Sequence, residues 1–125
     1  MNAARALGLG GLLLAIGIVI GALAAHALQQ VLEPRQLDSL HTAVNYQLVN
    51  ALGVLVVGML MRDDPSSALR TVAWLLVAGI VCFSGGIYVM LAGAPRPLGF
   101  VTPIGGALLI AAWAWFAITR FRSPA

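Results

Sequence analysis

Charge is scarce in this chain. Of its 125 residues, 9% are charged and 61% are apolar, whereas a soluble domain is roughly a quarter charged and about half apolar. So few charges cannot cover a folded surface in water. Lysine is absent, and the net charge of +3 rests on seven arginines set singly between apolar runs. That pattern lacks the basic stripe that nucleic-acid binding needs. Cysteine is reduced to Cys82, which excludes an intrachain disulfide and reads as a small buried hydrophobe. The four acidic residues, Glu33, Asp38, Asp63 and Asp64, all lie between the apolar runs. The carboxylate on which proton-coupled export usually depends is therefore missing. No serine, cysteine or aspartate stands beside a histidine in a triad-like order, and no phosphate-binding loop is present. These absences argue against an enzyme, and nothing calls for a cofactor.

What is present is length in apolar runs. A bilayer core needs about 20 apolar residues per helix, and four segments pass: residues 6–28, 43–61, 69–91 and 103–119. The first contains Ala-x-Ala-type triplets in "IGALAAHALQQ", which resemble a signal-peptide cleavage site. Its apolar run exceeds the roughly 7–15 residues of a signal-peptide core, so it is expected to be a first transmembrane helix. "RDDPSSALR" and "AGAPRPLG" are breakers between spans. In "VTPIGG", Thr102 is expected to cap a helix with Pro103 at its first position. The connection "QQVLEPRQLDSLHTAV" differs: Pro34 reads as a helix start, and Leu37, Leu40, Val44 and Leu48 recur at helical spacing. It predicts a short amphipathic segment at the interface that runs into the second span. The fold class is an all-α membrane protein, a four-transmembrane-helix bundle in a single domain, 1–125.

Four spans put both termini on one side. That side carries Arg5, Arg62, Arg70, Arg120 and Arg122, against Arg35 and Arg96 on the other. The excess predicts that both termini lie in the cytoplasm or its equivalent. Trp74, Trp113 and Trp115 fall toward the same side, as interfacial aromatics would.

Two features could carry function. Gly17, Gly21 and Ala25 sit four apart in the first span, and Ala78, Cys82 and Gly86 repeat the pattern in the third. With Gly105 and Gly106 at the start of the fourth, these are helix-packing positions, or the face of a homo-oligomer or of a membrane-protein partner. Polar residues in hydrocarbon are costly, and here they cluster: His26, Asn45, Tyr46, Gln47, Asn50, Ser84, Tyr88 and Thr102. Helical rise sets Asn50 and Ser84 roughly 10 Å below the outer boundary, while the inner half is nearly all Leu, Val, Ala and Ile. One reading is hydrogen bonding across helices. The other is a polar pocket opening outward, as in a carrier for a small neutral or lipid-like molecule. His26 and His41 lack a third ligand or a zinc spacing, so helix capping is expected of them and no metal site.

The segments "AAHAL", "TAVNYQLVNALGVL", "FSGGIYVM" and "TPIGG" resemble, in this order and spacing, domain-of-unknown-function family 423. That family comprises YgdD- and YwdK-like small bacterial inner-membrane proteins and the eukaryotic transmembrane protein 256. The resemblance implies a four-helix inner-membrane protein with no assigned activity. It implies family polar positions at His26, Tyr46, Gln47, Ser84, Tyr88, Thr102 and Pro103. Two departures from it are Asn50, where a histidine is expected, and Gly86, where a serine is expected. The leading function is a structural or accessory component of the lipid bilayer, without enzymatic activity.

Overall fold

The computed structural model describes residues 1–124. Four long helices make up almost all of it: α1 (Ala3–Ala25), α2 (Pro34–Asp63), α3 (Ser67–Leu91) and α4 (Val101–Arg122). Each is long and apolar enough to cross a membrane. The reason is compositional. In a bilayer every backbone N–H and C=O must be bonded internally, and a helix does this within one segment.

The helix ends follow local chemistry. The Asn2 side chain accepts from the Arg5 N–H at 2.8 Å and starts α1. Ser66 does the same for Leu69 at 3.3 Å and starts α3. Helix α1 begins three residues earlier than the apolar run suggests and stops at Ala25, because His26 leaves helical geometry and Ala27–Gln30 tighten into a 3-10 turn. Pro34 occupies the first position of α2, and Gln36 accepts from the Glu33 N–H at 2.9 Å. The 30 residues of α2 are about 45 Å long at helical rise, well beyond a core of about 30 Å. The surplus is the polar first part, so the expected interfacial segment and the second span form one unbroken helix.

The start of α4 departs from expectation. Thr102 does not cap it. Residues Arg96–Phe100 form a 3-10 turn that runs straight into Val101, with Phe100 at the cap position and no side-chain bond there. The chain already turns helically before Thr102, so there is no free end for it to close. Gly93 (φ 98°), beyond the end of α3, is the one positive-φ residue among those described, which suits a residue without Cβ.

Adjacent helices pair in chain order, α1 on α2, α2 on α3 and α3 on α4. Helices α2 and α3 hold most of the buried residues, while α1 and α4 flank them with large exposed apolar faces. The main core joins Ala51, Val54, Val57, Leu69, Val72, Leu76 and Ile80 to Ala6 of α1 and Leu109 of α4. At the arginine-rich end, Asp64 after α2 meets Arg120 near the end of α4 at 3.0 Å, partly exposed.

Close approach depends on glycine. At Gly105 a Cβ would fall on the α3 backbone, 2.7 Å from both the Cys82 carbonyl carbon and Phe83 Cα. At Gly86 it would strike Thr102 Oγ1 from the opposite helix. Gly106 is looser, its Cβ position 3.5 Å from the Phe83 ring, and Gly21 has Val44 at 3.3 Å. Ala78 is half-buried and Ala25 is exposed, so the first-span ladder ends before Ala25.

Gly105→Ala is therefore expected to lower stability, because overpacking against rigid backbone costs about 1–3 kcal/mol and exceeds the roughly 1 kcal/mol of helix propensity gained. Gly8→Ala, with nothing within 4 Å, should be neutral or stabilising. Thermal unfolding in detergent, followed by circular dichroism, makes the comparison. Equal midpoints for the two variants would refute the close α3–α4 contact.

Candidate functional site

The polar residues of the spans meet on α2. Gln47 and Asn50 lie one turn apart on that helix, 2% and 6% exposed. The Gln47 amide Nε2 donates to the Leu13 carbonyl of α1 at 2.8 Å. Its Oε1 accepts from the Tyr88 hydroxyl of α3 at 2.6 Å. Asn50 Nδ2 donates to the Tyr46 carbonyl one turn back, at 2.8 Å, and its Oδ1 accepts from Trp113 Nε1 of α4 at 2.8 Å. Ser84 of α3 donates to the Ala43 carbonyl of α2 at 2.7 Å. Five bonds thus tie α2 to all three other helices and brace Asn50 against its own helix.

Partner chemistry fixes the direction of both amides. A backbone carbonyl can only accept and an indole N–H can only donate. Asn50 must turn its NH2 toward Tyr46 and its oxygen toward Trp113. For Gln47, the Leu13 carbonyl requires the NH2, which leaves the oxygen for Tyr88. Each amide therefore has one productive orientation.

Small residues make room for these contacts. Gly17 faces Gln47, and a Cβ there would sit 3.4 Å from its carboxamide and 2.8 Å from Leu48 Cδ2. Gly53, one turn after Asn50, takes the Trp113 ring against its bare Cα, with the ring carbon Cη2 2.6 Å from where a Cβ would stand. Trp113 also packs edge-on against Phe116, with ring centroids 5.6 Å apart.

Not every expected site residue joins in. His26 closes α1 and is exposed, and no hydrogen bond ties its imidazole to the others. Asn45 also points outward. Thr102 is half-buried against Gly86 and makes no side-chain hydrogen bond. Tyr46 is 47% exposed and its ring stacks on Phe83 with centroids 4.6 Å apart, so its share in the network is its main-chain carbonyl.

Trp113 requires a correction. Expected at the interface, it sits near the middle of α4 and donates inward to Asn50. Counting from Val101 at 1.5 Å per residue puts it about 18 Å into the helix, a depth at which an indole N–H needs a partner. That count was available in the sequence. The Leu13 carbonyl was not, because every residue carries one and nothing in "GLLLAIG" distinguishes it. Through Leu13 and Trp113, the network reaches the middle of α1 and α4 instead of staying in the outer half.

Beside the network, a lateral groove of about 670 Å³ runs between α2, α3 and α4. Asn50 and Trp113 lie in its wall, and it passes the exposed Ile110. A smaller apolar cleft of about 280 Å³, lined by Ile20, Leu28, Leu40 and Leu91, lies under the α1–α2 connection.

A double-mutant cycle tests the bridge. Gln47→Leu and Tyr88→Phe each remove the same bond, so their combined cost should fall short of the sum of the single costs. The coupling should be about 0.6 kcal/mol and no more than roughly 1.7. Strict additivity of unfolding free energies in detergent would mean that the two side chains do not interact.

Comparison with known proteins agrees with this architecture. Residues 20–106 match the family described as "Protein of unknown function (DUF423)". A UPF0382 membrane protein of Staphylococcus haemolyticus is 36% identical over 114 residues, which is 91% of this chain and 93% of the relative. YwdK, a UPF0382 membrane protein of Bacillus subtilis, is 36% identical over 111 residues, 88% and 89% of the two chains. A UPF0382 membrane protein of Haemophilus influenzae is 35% identical over 107 residues, 85% of each. No solved structure matches the chain. With four helices long enough to cross a bilayer and a family match over most of its length, the chain belongs to the DUF423 family of membrane proteins.

Proposed function

We propose that the protein is a non-enzymatic structural component of the bacterial inner membrane, with both termini in the cytoplasm. One observation carries the reading. The three buried polar side chains, Gln47, Asn50 and Ser84, all direct hydrogen bonds to main chain or to a neighbouring side chain. A substrate site needs polar groups held ready for the substrate. These are already engaged in joining helices, and such bonds add little stability each while setting helix register.

The lateral groove favours a second reading, a carrier for a lipid-like molecule. It runs beside Asn50 and Trp113 near the middle of their helices, and its wall is apolar apart from these two residues and Tyr46. Asn50→Leu separates the two readings. A packing role predicts a small drop in thermal midpoint and only bulk phospholipid in the solvent extract of the purified protein. A carrier predicts a stoichiometric co-purified molecule in the wild type that disappears in the variant while the fold persists.

Orientation is tested independently. The arginine excess around the chain ends, five residues against two, supports cytoplasmic termini. A cytoplasm-active reporter fused after Ala125 should give signal. Activity of a periplasmic reporter at the same fusion point would reverse the topology.

A further inference from the structure

We propose that the arginine-rich end of the bundle is a binding surface for the headgroups of anionic phospholipids in the leaflet it faces. All four helices contribute to that end. Arg5 lies in the first turn of α1, Arg62 in the last turn of α2, Arg70 in the first turn of α3, and Arg120 and Arg122 in the last turn of α4. The antiparallel order of the helices brings these positions together, as the packing of Leu7 on Gly58 and the Arg120–Asp64 bond show.

The two acidic residues at this end do not neutralise the arginines. Asp64 pairs with Arg120 at 3.0 Å, the only salt bridge among the described residues. Arg5, Arg62, Arg70 and Arg122 are exposed and have no carboxylate within ion-pairing distance there, while Asp63 is the one acid left over. The opposite end is balanced, with Arg35 and Arg96 set against Glu33 and Asp38. The arginine-rich end thus carries an excess of positive side-chain charge where the other end carries none, so the surface selects for anionic over zwitterionic headgroups.

Depth points to lipid as the partner. Each free arginine stands within a turn or so of an end of a helix long enough to cross the bilayer, which puts the guanidinium at headgroup level. Guanidinium is planar and bidentate toward phosphate oxygens. Trp74, 56% exposed, follows Arg70 by four residues and so shares its face of α3. The pair presents a cation to a headgroup above and an indole to the adjoining chain below. The surface is the same whichever leaflet it faces, so the proposal stands apart from the orientation and from the structural role argued above.

The test uses the whole chain in vesicles of equimolar phosphatidylcholine and phosphatidylglycerol. Bromine is placed on the acyl chains of one lipid at a time, and quenching of tryptophan fluorescence is read. Brominated phosphatidylglycerol should quench more than brominated phosphatidylcholine. The preference should weaken with added salt and fall up to about fivefold with each arginine removed. The variant carrying Arg62→Gln, Arg70→Gln and Arg122→Gln should lose it, and the variant carrying Arg35→Gln and Arg96→Gln should keep it, with unchanged circular dichroism in both. Equal quenching by the two lipids, or a preference that survives the triple variant, would overturn the proposal.

Discussion

The structure turns on two carboxamides of one helix. Gln47 and Asn50, one turn apart on α2, reach a carbonyl of α1, a phenol of α3 and an indole of α4. Between helices in lipid there is no hydrophobic driving force of the kind that assembles a soluble core, because the surrounding chains are as apolar as leucine. Shape and a few directed bonds must select the arrangement. Each bond is worth little, about 0.6 kcal/mol on average. Sliding α2 against a neighbour would nonetheless leave buried amide, phenol and indole groups without partners, and that penalty is larger than the bond is worth.

This explains why glycine and polar residues occur together. Gly17 lies against Gln47, and Gly53 lies under the Trp113 ring. A hydrogen bond of under 3 Å between helices requires the backbones or side-chain stems to come close, and a missing Cβ provides the space. Gly105 on the α3 backbone extends the same logic to a crossing with no polar bond of its own. The order α1–α2–α3–α4 leaves the outer helices one-sided, so their exposed leucines, isoleucines and valines form the surface toward lipid.

The arrangement also separates two roles along the membrane normal. The middle of the bundle holds the register through side chains that have found partners. The arginine-rich end holds cations of which, among the described residues, only Arg120 has a carboxylate partner.

The sequence by itself determined class, span number and the continuous helix from Pro34 through the second span, because these depend on apolar length, breakers and local spacing. It also singled out Gln47, Asn50, Ser84 and Tyr88 as costly in hydrocarbon. Only the tertiary structure decided their partners. The Leu13 and Ala43 carbonyls carry no signature, since any residue offers one. His26 and Thr102 looked alike to their neighbours in polarity, yet one faces outward at a helix end and the other packs against Gly86 without a bond. Trp113 read as an interfacial aromatic because its residue type allows that role, and helix packing put it opposite Gly53 instead. Depth and polarity are properties of a segment, but which groups meet depends on the rotation and approach of whole helices, and that is fixed by contacts between residues far apart in the chain.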